Sequence, residues 1–442
     1  MTPNLQAAVR RIALPLTGDL HNYDRLVHLA GKSRFALIGE ASHGTHEFYR
    51  ERADITRRLI VEHGFCAVVA EADWPDAYRV NRYVRGLSDD RDADEALSSF
   101  RRFPSWMWRN TVVREFVGWL RRYNDTQDEA HKVGFYGMDL YSLATSMESV
   151  LAYLDRVDPE AAQRARYRYA CFDHLGEDTQ AYGYAAAFGL RKACEDEVVK
   201  QLVDIVEHAA DYTRHSGELG ADDYFFAEQN ARLVKNAEKY YRTMFRGRVS
   251  SWNLRDRHMV ETLEALDAHF ARGPRTPRFA VWAHNSHLGD ARATEMGADG
   301  EWNVGQLVRE RHASDALLVG FSTHHGTVAC ASDWGGSVER KRVQPGLPGS
   351  YEALFHETGI GNFVLFLNDE AAHAANMGRR LQRAIGVVYL PESERASHYF
   401  HANLPQQFDA MIHLDDTRAL APLDAGAGWI DKEAPDTFPA GV

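Results

Sequence analysis

Residues 35–50 read Phe-Ala-Leu-Ile-Gly-Glu-Ala-Ser-His-Gly-Thr-His-Glu-Phe-Tyr-Arg. The first five form a continuous apolar run of strand length, as expected of a strand covered on both faces. The run stops at Gly39-Glu40, and from Phe48 onward the pattern changes. Phe48, Arg52, Ile55 and Leu59 are spaced 4, 3 and 4 residues apart, which predicts a helix with these side chains on one stripe. A buried strand, a polar turn and an amphipathic helix make the opening of an α/β layer structure.

Outward from this stretch the same signal recurs. Cys66–Ala70, Val133–Gly137, Arg278–Ala283, Ala316–Phe321, Phe363–Leu367 and Phe408–Leu414 are further apolar runs of strand length separated by helical stretches. Together with Phe35–Gly39 they predict a mostly parallel sheet flanked by helices, with the strand order left open. Between Ser142 and Arg272 the strand signal is replaced by helical repeats, such as Leu143, Met147, Val150 and Leu154, and Val199, Leu202, Ile205 and Val206. We therefore expect a discontinuous α/β core, residues 1–143 and 272–442, interrupted by a helical insertion, 144–271, that covers the active-site cleft. A chain of 442 residues is long enough for this arrangement.

Composition narrows the function. With 45% hydrophobic and 26% charged residues the chain is an ordinary globular one. The absence of an apolar run near the ~20 residues of a membrane span, and of a secretory leader, leads us to expect a cytoplasmic protein without a membrane partner. A net charge of −12 opposes nucleic acid as a partner. Cys66, Cys171, Cys194 and Cys330 contain no C-x-x-C pair, so neither a disulfide framework nor a cysteine zinc site is expected. The 21 histidines are the unusual feature, since histidine both carries protons near neutral pH and ligates metals.

In an open α/β sheet, ligands bind beyond the carboxyl ends of the strands. Here the first run leads into Glu40, His43, His46 and Glu47, the second into Glu71 and Asp73, and the third into Asp139. The later runs lead into His284, Asn285, Ser286 and His287, and into Ser322, Thr323, His324 and His325. Arg52 lies within the apolar stripe of its helix, so its guanidinium needs a buried counter-charge, for which Glu40 and Glu71 are the candidates. No G-x-S-x-G elbow follows a strand, which disfavours a serine nucleophile. No H-E-x-x-H, Walker or G-x-G-x-x-G motif is present either. What remains is acid and base chemistry by His43, Glu40, Glu71, Arg52, His284 and His287. In one version a histidine activates water; in the other His284, His287 and a carboxylate hold a divalent ion.

Leu37–Arg50, Glu71-Ala72-Asp73-Trp74 and Trp282–Asp290 resemble the erythromycin esterase family. Phe103–Arg109, Asn253–Met259, Tyr399-Phe400 and Leu404–Leu420 extend the likeness over nearly the whole chain. The resemblance implies an α/β core with an inserted helical domain and a deep cleft. It also implies hydrolysis of the macrolactone ester of macrolide antibiotics or, in many members, of another substrate. The family's general base, the histidine of G-E-x-x-H-G, falls on His43, and its supporting residues on Glu40, Arg52, Glu71, His284 and His287.

The expected enzyme is therefore a carboxylic ester hydrolase in which His43 activates water without a covalent intermediate, and no cofactor is expected. Its partner is a small molecule of macrolide size, with Trp106, Trp108, Tyr78 and His46 as candidate substrate contacts. The competing readings are a metal-dependent hydrolase of another ester or amide, and a non-catalytic binder of a bulky ligand such as haem.

Overall fold

The computed structural model describes residues 3–175, 184–187, 193–214 and 217–425. Thirteen strands occur among them: β1 Leu14–Pro15, β2 Phe35–Ile38, β3 Ala67–Asp73, β4 Gly134–Asp139, β5 Phe279–Trp282, β6 Ala316–Ser322, β7 His325–Cys330, β8 Glu339–Val343, β9 Phe363–Phe366, β10 Arg380–Arg383, β11 Tyr399–Ala402, β12 Ala410–His413 and β13 Asp416–Thr417. The central sheet is mostly parallel and has eight strands in the order β1-β9-β12-β6-β2-β5-β3-β4. Each of the seven apolar runs carries one of them. β2 sits in the middle, parallel to β5 with Phe35 opposite Phe279 and parallel to β6 with Phe35 opposite Ala316. β12 continues the parallel body beside β6, β9 runs antiparallel to β12, and β1 at the edge pairs antiparallel with β9 and so regains the direction of the body.

Every residue of β2, β3, β4 and β5 is buried, which is why these strands are apolar without alternation. Phe35 stacks on Phe279 across the strand pair at 5.7 Å, and Phe116 meets Trp282 at 4.8 Å. The helix after β2 spans His46–His63, buries Phe48, Arg52, Ile55 and Leu59, and stops at Gly64, whose φ of 66° is a left-handed cap.

The remaining strands were not expected. β13-β7-β8 form a three-stranded sheet and β10-β11 a hairpin-like pair. β8 reads Glu-Arg-Lys-Arg-Val and β10 Arg-Leu-Gln-Arg, so neither carries an apolar run. Cys171 and Cys194 form a disulfide with Cα atoms 5.9 Å apart, which corrects the expectation from cysteine spacing. The two lie 23 residues apart, and folding rather than local sequence brings them together. Cys66 and Cys330 are free and buried.

By contact density the chain falls into two units, residues 1–69, 80–135 and 277–442, and residues 70–79 and 136–276. The second contains the helices Leu143–Val157, Pro159–Tyr169, Glu195–Glu207, Gly217–Thr243 and Arg248–Phe270. Its interior includes Val150, Leu154, Val198, Ile205, Leu233 and Met259. On the helix Glu195–Glu207 the buried face is Val198, Gln201 and Ile205, while Val199 and Val206 point outward. Among the described residues no helix is long and apolar enough to cross a membrane.

Candidate active site

The turn after β2 is built around close backbone approaches. A Cβ at Gly39 would collide with Asn285 Oδ1, and one at Gly44 with the carbonyl of Ala329 on β7. Glycine at both places admits these neighbours. Gly44 O then accepts from the backbone N–H of Ala329 and of Leu420, at 2.9 and 2.8 Å. Asn285 joins three strand ends: its backbone N–H donates to Glu40 O at 2.8 Å, its Nδ2 to Phe321 O at 2.7 Å, and its Oδ1 accepts from Phe321 N at 3.3 Å.

This frame places Glu40 and His43 three residues apart on one turn. Glu40 Oε1 is 2.8 Å from His43 Nδ1, and Glu40 Oε2 is 3.0 Å from Arg52 Nη2. A carboxylate can only accept, so Nδ1 carries the imidazole proton and Nε2 presents its lone pair. Glu40 is 1% exposed, Arg52 0% and His43 8%. Arg52 thus supplies the counter-charge that a buried carboxylate requires, and of the two carboxylates considered as its partner the structure uses Glu40. The Arg52 guanidinium also lies over the Tyr49 ring at 4.6 Å and the Trp282 ring at 4.9 Å, where cation–π attraction replaces part of its hydration. Tyr49 Oη donates to His43 O at 3.0 Å and fixes the turn from below.

β5 delivers the next pair. His284 caps the short helix Asn285–Leu288, accepting from Ser286 N at 3.1 Å through Nδ1, with Ser286 Oγ 2.8 Å from the same nitrogen. Its ring centroid is 4.9 Å from that of His43. His287 is buried on the same helix. The structure therefore brings Glu40, His43, Arg52 and His284 into one contact network from β2, the helix His46–His63 and β5.

Glu71 belongs to the second unit. There Arg255 Nη2 donates to Glu71 Oε1 at 2.6 Å and to Asp139 Oδ2 at 2.8 Å, while its Nε donates to Asp139 Oδ1 at 2.9 Å. Burial opposes the Arg255 charge, and Asp139, then Tyr141 and Glu71, outweigh it and raise its pKa above the ordinary arginine value. The strand-end pattern does not point to Arg255, which lies on a helix, although the helical spacing around it does. Arg255, Met259, Thr262 and Leu266 repeat the 4, 3, 4 spacing of the Arg52 stripe, and the last three are buried.

The expected substrate contacts are dispersed. Tyr78 stacks on Phe226 at 3.8 Å within the second unit. In the first, Trp106 meets Phe103 at 5.2 Å and Trp108 meets Phe135 at 6.5 Å, and both tryptophans are buried. His46 opens its helix and its Nε2 is 2.9 Å from Arg418 Nη2. Burial, followed by Arg418 and Arg50, brings its pKa down to about 4.

The family model for erythromycin esterase matches residues 60–417. The chain belongs to the erythromycin esterase family. The matched stretch takes in Glu71, His284 and His287 and begins beyond Glu40, His43 and Arg52. Three solved structures share the fold. A succinoglycan biosynthesis protein superposes with a TM-score of 0.76 at 17% identity, covering 95% of this chain and 98% of that one. A protein from Bacillus cereus gives 0.75 at 18% identity, with 95% and 98% covered. A mutant of the erythromycin esterase EreC in its open conformation gives 0.66 at 17% identity, with 92% and 96% covered. As a member of the erythromycin esterase family the chain is assigned to the hydrolases that act on esters.

Proposed function

We propose that this chain hydrolyses the macrolactone ester of a macrolide by water activated at His43, without a covalent enzyme intermediate. The observation that supports this reading is the buried Glu40–His43 pair, with Glu40 Oε1 on His43 Nδ1 at 2.8 Å and Arg52 on the other carboxylate oxygen at 3.0 Å. Glu40 holds the imidazole in the tautomer whose Nε2 accepts a proton from water. The water oxygen attacks the ester carbonyl, the C–O bond of the tetrahedral intermediate breaks, and the proton held on His43 passes to the leaving alkoxide. His284 and His287 stabilise the developing oxyanion. Arg52 acts through Glu40 as a positioning residue. In this reading residues 1–143 and 272–442 form the catalytic core and 144–271 a helical insertion, with Tyr78, Trp106, Trp108 and His46 as contacts for the bulky substrate.

Incubation with 14-, 15- and 16-membered macrolides, followed by mass spectrometry, tests this reading. A product heavier by one water is the expected result, and no product across the panel removes the macrolide as substrate.

A further inference from the structure

A second group of histidines gathers where β6 and β12 end, on strands other than the two that carry His43 and His284. His324 and His325 follow β6, His356 closes the helix Tyr351–His356, and His413 ends β12. The rings of His324 and His356 stack at 3.8 Å with 5° between their planes, and His325 stands edge-on to both, at 5.1 and 5.9 Å. One ring nitrogen from each of His324, His325 and His356 lies within 4.8 Å of the other two. The Nδ1 atoms of His324 and His325 are 2.9 Å apart, so an ion about 2.1 Å from each would see them at roughly a right angle.

The surroundings orient this group. Both oxygens of Asp415 lie 2.9 Å from His356 Nδ1. That carboxylate accepts a hydrogen bond from the His356 Nδ1–H and leaves the Nε2 lone pair facing away from it, the arrangement in which a carboxylate behind a histidine fixes a ligand's tautomer. Asp415 is itself held by the Nε2 of the buried His413 at 3.2 Å and by its backbone N–H to Asn362 Oδ1 at 2.9 Å. His413 Nδ1 in turn meets Ser322 Oγ at 2.9 Å. On the opposite side, His325 Nε2 is 3.9 Å from Asp416 Oδ1. His324 is buried, whereas the side chains of His325 and His356 are 39% and 43% exposed, which leaves an entry path and room for water.

We propose that His324, His325 and His356 bind a divalent transition ion of the zinc class, with Asp415 positioning His356 and water completing the coordination. Three imidazoles suit zinc, copper or nickel and not the oxygen-seeking calcium and magnesium. The ion ties the β6–β7 junction to the end of the helix Tyr351–His356. Because it binds the folded chain only, it raises thermal stability.

The test uses the full chain, stripped with chelator, dialysed, and titrated with zinc chloride alone. Calorimetry and metal analysis give the stoichiometry, and thermal melts give the stabilisation. We expect H325A/H356A to bind one zinc fewer than the wild type and to lose the zinc-dependent rise in Tm. D415N should keep the stoichiometry and bind about tenfold more weakly. Circular dichroism checks the fold, and H356Q repeats the comparison with a side chain that can still donate to Asp415. Equal zinc content and equal stabilisation in the wild type and the histidine variants would overturn the proposal. So would a wild type that takes up no zinc.

Discussion

At the scale of the residue, the proposed chemistry and folding meet at Glu40. Its two oxygens serve two partners, His43 and Arg52, so substitutions around it separate the two roles. Glu40→Gln keeps the size and loses the charge that holds the imidazole; hydrolysis should fall about a hundredfold, checked by kcat/KM on a variant whose melt is first compared with the wild type. Arg52→Met leaves Glu40 buried without a counter-charge, and urea denaturation should show a loss of about 3–5 kcal/mol. Arg255→Met strands Glu71 and Asp139 in the same way and should cost about as much. A loss under about 1 kcal/mol in either arginine variant would mean that its partners are not held by charge. The Arg52 stripe was legible, because an arginine interrupting a 4, 3, 4 apolar spacing announces a buried charge before its partner is known.

At the scale of the element, the frame around the site depends on two contacts that one-dimensional patterns do not carry. Gly44 admits the Ala329 carbonyl and Gly39 admits Asn285, and neither neighbour is close in sequence. Gly44→Ala should force β7 away from the turn and lower both stability and activity, read together in a melt and an esterase assay. Asn285→Ala leaves Phe321 N and O without their side-chain partner and should cost about 2 kcal/mol; unchanged stability would show that water replaces the amide. Seven of the eight strands of the central sheet could be read because strands covered on both faces are continuously apolar. β8 and β10 could not, since Glu339, Arg340, Arg380 and Arg383 serve strands outside the central sheet. The Cys171–Cys194 pairing was equally hidden, because spacing along the chain says nothing of which thiols folding brings together.

At the scale of the whole molecule, histidines that the fold holds neutral shape the response to acid. His258 is buried and its pKa is lowered to about 4, chiefly by burial, with Glu261 and Asp139 opposing and Arg232 and Lys235 assisting. His46 is lowered to about 4 by burial, Arg418 and Arg50. A histidine depressed on folding takes up its proton more readily in the unfolded chain. Its contribution is therefore complete above about pH 6.5 and is lost as the pH falls through 4. For His258 the limit is on the order of 3 kcal/mol. Urea midpoints should fall between pH 6.5 and 4, and less steeply in His258→Gln; parallel profiles in the two proteins would remove His258 from the effect.

The family was readable from motifs spread along the chain, and the histidines at the strand ends narrowed the chemistry to acid and base catalysis. Which carboxylate serves His43 was not readable, since Glu40 and Glu71 both follow apolar runs in the sequence and only the fold gives one to His43 and Arg52 and the other to Arg255. The most direct test of His43 as the base is the macrolide incubation run side by side with the wild type and His43→Asn, followed by mass spectrometry over time. His43 as the base predicts a water-added product from the wild type and a rate at least about a hundredfold lower in a folded His43→Asn variant. An undiminished rate in that variant would contradict it.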